Sequence, residues 1–570
     1  MMDRKTIWIV LGALILLIGA RSVIDKLYPP VPKKALPPAA ESAKTGAPPA
    51  RVEAPILAPA MLPVIPPATA EPRPDDQTVE LTNDFVRVVF TRWGGGIRSV
   101  ELLRHRADGG GNINLNSADA VPALALLNLP GADAGARFEI EQPGARTVVM
   151  RTRTPAGLSV SKTFTLGNDY IVDGTVEVSR ETESGPVPTN LTVVVGAATP
   201  ANEIEPTTYL GLDLSVGGKY QQRPVWDTSG VFIFKKPLPE KKQFQETVPA
   251  RWVAVKSQFF TMIVTPSTNA VGLGFERQAA PKPADWKSKV LPQVLTAWIT
   301  MPPRSVDANG TEKYAFSLYA GPKEYDRLAA LGSSQEEVMQ FGMWGVISVV
   351  LLRSMKFCYN LIPNYGIVII LLTIVIKIVF WPIQAKSMKS MKAMQTFQPL
   401  MAKLREKYKD DAQRLNQEMM KLYKEHKINP FAGCLPMLVQ IPVFFALFAM
   451  LRSAIELRGA HFLWIKDLSQ PDTIFHVPGP GFPVNPLPLA MGVTMLWQMK
   501  LTPSAGDPKQ QQMMMFMPLV FLFICYNMSS GLVLYWTVQQ VLSIAQQWWS
   551  LRQTQDGAQP KLSAVSGKGK

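Results

Sequence analysis

A single ammonium interrupts the apolar run LLTIVIKIVFWP at Lys377, and it is the residue of this chain whose setting asks most for an explanation. A charge in hydrocarbon costs at least about 2.5 kcal/mol. Lys377 therefore needs either a hydrated cavity or a path for its head to reach the membrane surface. The second route is snorkelling, in which the alkyl stem stays in lipid. Lys377 lies six residues before Ile383, about 9 Å of helix at ~1.5 Å per residue, which a lysine can nearly cover. The backbone opposes it, because helical Cα–Cβ bonds lean toward the N-terminus. On a helix that enters from outside, Lys377 then leans toward the bilayer centre. Thr373, one turn earlier, shares its face. Other apolar segments supply matching groups: Gln440 in PMLVQIPVFFALF, with Pro436 and Pro442 around it, and Tyr535, Gln539 and Gln540 in GLVLYWTVQQ. One such residue merely glues helices together. Together they predict a wet interior facing Lys377.

Few other residues offer chemistry. The three cysteines, Cys358, Cys434 and Cys525, lie in or beside apolar segments and make no disulfide framework. The four histidines are scattered without metal-ligand spacing. No nucleophile–base pair or paired carboxylates fall within the apolar segments, so neither a cofactor nor an enzymatic activity is expected. The formal charge of +15 would suit a nucleic-acid binder. The basic residues instead gather beside apolar runs, as membrane topology requires, and no direct nucleic-acid recognition is expected.

The elements that must position these groups follow in order along the 570 residues. Residues 1–28 read as a retained signal-anchor span around the apolar run 7–20, and 29–77 as a Pro/Ala-rich tether that prefers extended backbone. Residues 78–330 alternate apolar and polar residues in short runs such as LSVSKTFTLG, parted by Gly, Asn and Asp, which predicts a large all-β sandwich. Residues 335–363 read as an amphipathic helix lying in the membrane interface, since Arg353 and Lys356 break the apolar run. Five further spans are expected at 364–383, 431–451, 487–501, 513–528 and 531–549, within a core of 364–550. A basic tail, 551–570, closes the chain.

Between the second and third spans, 384–428 carries eleven basic residues against five acidic ones and should be cytoplasmic. By parity both termini are then cytoplasmic and the β domain external. This loop reads as a helical hairpin, with helices over 387–409 and 410–427 and with Asp410 and Asp411 placed to cap the second. Met388, Met391 and Met394 recur at every third position of the first helix. They form either a packing stripe or an adaptable apolar strip for varied clients.

The motifs YAGPKEYD, NPFAGCLPMLVQIPVF, LWIKDLSQPD, MGVTM and SGLVLYW, in this order, closely resemble the YidC family of membrane-protein insertases. The resemblance implies a polytopic α-helical membrane protein of six spans, a five-helix insertase core, and a large periplasmic β-supersandwich. It implies a groove, open to the cytoplasm and lipid but closed to the outside, with a cation on the second span where Lys377 stands. Thr373, Gln440, Pro442 and Trp536 would line it with Tyr535, and other members often carry tyrosine at the position of Trp536. Implied partners are nascent membrane-protein clients, the Sec translocon, the lipid bilayer and the ribosome, although the tail KLSAVSGKGK is sparse for the last. The implied location is the inner membrane. A secondary transporter with a buried cationic site is the alternative, but it would show two related halves, and no internal repeat is visible.

Overall fold

The computed structural model describes residues 63, 65–66 and 75–555, except 118–120, 181–186, 190, 226–227, 230–235, 238–241, 283–285, 287–290, 308–309, 410, 427–434, 479–480 and 502–507. The anchor at 1–28, nearly all of the linker, Asp410, Cys434 and tail residues 556–570 lie outside the described residues, as do the side chains of Met391, Met394 and Pro436. The described residues divide into two compact units, one within Pro30–Met339 and the other within Gln340–Lys570.

The first unit is built from antiparallel sheets. Nine strands form the largest, in the order Lys219–Pro224, Gly211–Val216, Val253–Lys256, Phe260–Pro266, Thr311–Pro322, Ile171–Arg180, Leu158–Leu166, Thr147–Arg153 and Glu139–Gly144. Two four-stranded sheets pack against it. One spans Thr78–Leu115 and meets the large sheet where Phe90 lies 5.3 Å from Phe164. The other, which includes Thr192–Ala198 and Gln293–Thr300, packs on strands Val253–Lys256 and Phe260–Pro266. Alternation explains the layers: in Leu158–Leu166 every second residue is buried, putting Leu158, Val160, Phe164 and Leu166 inside. Lys162 holds the third of the five inward positions and is fully buried. Its Nζ donates to the carbonyls of Gly94 (2.9 Å), Gly95 (2.9 Å) and Leu124 (3.2 Å), and sits 4.8 Å from the Phe138 ring centroid. A core lysine with three acceptors for its three protons is a satisfied group. Gly94, Gly95 and Leu124 all have positive φ, so two turns bend their carbonyls onto this one ammonium. The sandwich expected from alternation is what forms. Helix α1, Tyr325–Leu331, follows the last strand of the large sheet.

In the second unit, α2 covers Gly345–Leu361 and α3 runs unbroken from Tyr365 to Thr396. Two shorter helices, α4 (Gln398–Lys407) and α5 (Ala412–Glu425), follow. Then come α6 (Leu435–Ser453), α7 (Pro486–Leu501), α8 (Pro508–Cys525) and α9 (Ser530–Gln555). Among the described residues, the segment Tyr365–Met388 is long and apolar enough to cross a membrane, and Gln440–Ser453 and Phe516–Cys525 are shorter apolar pieces.

Three expectations shift. The span expected at 364–383 and the first hairpin helix are one element, because α3 continues through Pro382 to Thr396. The break comes at Phe397, two residues before Pro399, which has no N–H to offer the carbonyl one turn back. Met388 therefore rides on the same helix as Lys377. The span at 513–528 is displaced toward its N-terminus and ends at Cys525. Helix α2 buries Ile347, Val350, Leu351 and Met355, and its Ser348 hydroxyl donates to the Ala446 carbonyl at 2.9 Å, so one face is packed on α6. Asp411 caps α5 as expected, accepting from the Arg414 amide at 2.9 Å.

Candidate functional site

Helices α3 and α9 lie side by side and run in the same direction. Ile369 borders Gly531 near one end, and Trp381 lies 5.8 Å from Trp549 near the other. Lys377 falls between these contacts. Its Nζ donates to Ser543 Oγ at 2.7 Å, and the residue is only 4% exposed. The ammonium thus turns across to α9 inside the bundle and does not snorkel. The Ser543 hydroxyl donates to the Gln539 carbonyl at 2.8 Å, which leaves its lone pairs for the lysine. Among the described residues no carboxylate pairs with Lys377, so a neutral hydroxyl holds a charge that nothing there cancels.

Around this pair the polar groups fall on helical repeats. On α3, Thr373, Lys377 and Gln384 follow an i, i+4, i+11 pattern, and on α9 Gln539, Ser543 and Gln546 follow i, i+4, i+7. Buried oxygens of Gln384, Gln539 and Gln540, and the buried amide nitrogen of Gln546, have no partner among the described residues. Buried amides of this kind are otherwise almost always paired. Gln440 Nε2, from α6, donates to Tyr535 Oη at 2.7 Å, joining two of the expected residues. Trp536 packs edge-on to Phe444 (4.7 Å) and tilted on Phe521 (4.4 Å), bridging α6, α8 and α9, and its buried Nε1 also has no partner among the described residues.

Not every expected residue converges. Thr373 is buried beside Lys377, yet its hydroxyl donates to its own helix, to the Ile369 carbonyl at 2.7 Å. Pro442 sits half-buried inside α6. Met388 is half-buried, three turns beyond Lys377 on α3. Ser543 is the residue that sequence reasoning passed over. Its signal was available, since it extends the Gln539 stripe by one turn.

One end of the bundle is tied shut by the segment between α6 and α7. The Phe462 ring lies on Gly366, where a Cβ would come within 2.1 Å of it. The amides of Ser530 and Gly531 donate to the Gln470 and Leu468 carbonyls at 2.7 and 2.8 Å, and the Leu487 amide donates to Asp472 at 2.7 Å. The N-terminal ends of α3, α7 and α9 are thereby held by one loop, much of it the motif LWIKDLSQPD. At the other end α3 passes into the basic helices α4 and α5.

Comparison with known proteins assigns most of the chain to two family models. Residues 78–353 match the model of the YidC periplasmic domain, and residues 357–557 match that of the 60Kd inner membrane protein family. The membrane protein insertase YidC of Geobacter metallireducens is 34% identical over 564 residues, covering 96% of this chain and 98% of its own length. The chain belongs to the YidC family. The YidC insertase of Syntrophobacter fumaroxidans is 37% identical over 425 residues, with 73% of each chain covered. A crystal structure of an active YidC insertase with its first transmembrane domain resolved shares 16% identity over 85% of this chain and 95% of its own, at a TM-score of 0.35. YidC membership makes this an inner-membrane protein with a periplasmic domain, as the motifs suggested. It leaves the transporter alternative without support.

Proposed function

We propose that this YidC chain takes up hydrophobic segments of nascent membrane proteins and releases them into the inner membrane, working as an insertase and folding chaperone, alone or beside the Sec translocon. The observation that carries the mechanism is the buried Lys377 ammonium, held by a hydroxyl and countered by no carboxylate among the described residues. An acidic group of a client that replaced Ser543 at about 4 Å would gain about 4 kcal/mol of attraction at an effective dielectric of about 20. That is enough to hold a passing segment briefly and not enough to trap it. The buried amide oxygens of Gln384, Gln539 and Gln540 and the amide nitrogen of Gln546, without partners among the described residues, fit a hydrated groove around the lysine.

In this reading the anchor at 1–28 and helices α3, α6, α7, α8 and α9 make six spans, with both termini cytoplasmic. The hairpin α4–α5 and the edge carrying Met388, Met391 and Met394 receive the client. The Lys377 pocket draws in its acidic or polar portion, with Thr373, Gln440, Pro442, Tyr535 and Trp536 along the path. The hydrophobic portion leaves between α6 and α8. Transfer of roughly 20 apolar residues from water to lipid drives the reaction without nucleotide hydrolysis. The large apolar side chains exposed on these helices, among them Ile378, Phe445, Val493, Leu519 and Phe523, suit lipid contact. Lysine supplies charge without the planar fork of arginine, so a client carboxylate would be held with less fixed geometry.

The test is insertion of a client bearing acidic residues at its translocated end, in cells depleted of their own insertase. Lys377→Arg should support insertion and Lys377→Glu should block it, while a client with a neutral end should still insert. Normal insertion of the acidic client by Lys377→Glu would remove the lysine from the mechanism.

A further inference from the structure

The segment joining α6 to α7 does more than tie helix ends together. It displays a set of large apolar side chains on a rigid support: Leu463 is 76% exposed, Trp464 49%, Phe475 54% and Phe482 53%. The support is made of hydrogen bonds. Phe475–His476 and Pro483–Val484 pair as a small antiparallel hairpin, closed by Ile474 N to Val484 O at 3.0 Å and Val477 N to Phe482 O at 2.9 Å. Buried Asp472 accepts from Trp464 Nε1 at 3.1 Å and from the Leu487 amide at 2.7 Å. Thr473 donates to Asn485, and Asn485 donates to the Tyr526 carbonyl. Leu463 takes up φ +51, a left-handed backbone that a leucine rarely adopts, and its side chain points outward all the same. Backbone strain and buried polar bonds here hold apolar groups out of the core, where folding alone would bury them.

We infer that this hairpin and the Leu463–Trp464 turn dip into the headgroup boundary of the bilayer, on the side where α3, α7 and α9 begin, as a built-in lipid anchor. Three observations select lipid as the occupant. The patch is continuous with the face of α8 that meets lipid in an inner-membrane protein: Phe482 lies 5.2 Å from Tyr526, just past the end of α8, and Tyr526 Oη donates to the Pro483 carbonyl at 2.7 Å. On α8 itself Phe516, Leu519, Val520 and Phe523 are exposed. The charge also fits. Lys466 and His461 are exposed, while the carboxylates of the segment are turned inward: Glu456 to Lys356 at 3.1 Å, Asp467 to the Ser469 amide and Gln470, and Asp472 as above. No exposed carboxylate in the described part of this segment would repel lipid phosphate. Finally, aromatic and aliphatic residues mixed with a cation are the composition of a membrane-interface element. This inference rests on the proposed reading of α8 as a span and, for the side of the bilayer, on the proposed topology.

The full chain, with its three cysteines replaced by serine, can carry a nitroxide at Phe475→Cys or Phe482→Cys. It is then reconstituted in vesicles of phosphatidylethanolamine and phosphatidylglycerol. Collision with oxygen, which concentrates in lipid, should exceed collision with water-soluble nickel-EDDA several-fold at both positions, and the order should reverse for a nitroxide at exposed Glu406 in α4. Preference for nickel-EDDA at 475 and 482 would overturn the anchor, showing a water-exposed loop. Exclusion of both reagents would also overturn it, in favour of a protein cover. Neither reading depends on insertion activity, so loss of the Lys377 mechanism would leave this test intact.

Discussion

Lys162 gives the sharpest quantitative test of how this chain uses buried charge, because it lies in the sheet-rich unit, away from lipid. Burial pushes its ammonium from 10.5 down to about 7. Between those values the unfolded chain holds a proton that the folded unit has released, so stability rises with pH across the window and is lowest below about 7. At about 1.36 kcal/mol per pH unit, the whole window is worth about 5 kcal/mol. The three carbonyl acceptors and the Phe138 ring favour the charged form and make this an upper limit. With a urea m-value of about 3 kcal/mol per molar, the part of the window between pH ~6.5 and pH ~9.5 is worth about 3 kcal/mol, and the midpoint should rise by up to about 1 M across it. Tryptophan fluorescence of the unit Pro30–Met339 reports it, with Trp252 and Trp298 buried in the core. Lys162→Met keeps most of the stem without the charge. It should flatten the pH dependence and leave the carbonyls of Gly94, Gly95 and Leu124 without their shared donor. Equal pH slopes in the two proteins would refute the reasoning.

Two further predictions concern the helical unit. Ser543→Ala removes the hydroxyl that holds Lys377, a hydrogen bond to a charged group worth about 1.5–3 kcal/mol. It should lower the melting temperature in detergent and slow insertion of an acidic client, and Ser543→Thr should restore both. Gly366→Ala places a methyl 2.1 Å from the Phe462 ring, and overpacking of this kind costs about 1–3 kcal/mol. The resulting fall in melting temperature should largely vanish when Phe462→Ala is added, which the double mutant checks directly.

Much of this architecture could be read along the chain because its signals are periodic. Alternation in runs such as LSVSKTFTLG set the strands of the sandwich, and long apolar stretches set the helices that begin at Tyr365, Pro486 and Ser530. The lysine inside LLTIVIKIVFWP declared itself through the cost of charge in hydrocarbon. Helix ends were harder to read. Pro382 is passed through, while Pro399 accompanies a true break, because a missing N–H can be absorbed or not according to what packs around it.

Composition and periodicity alone determined that this is a membrane chain with a sheet-rich domain and one cation set deep in an apolar helix, for those properties depend on solvent preference summed over neighbours in sequence. Only the tertiary structure decided that Lys377 turns to Ser543, 166 residues away, that Thr373 spends its hydroxyl on its own helix, and that Lys162 is clasped by two distant turns. A hydrogen bond is set by distance and angle over a few ångströms, and no local pattern in the chain fixes which acceptor a long, flexible side chain will reach.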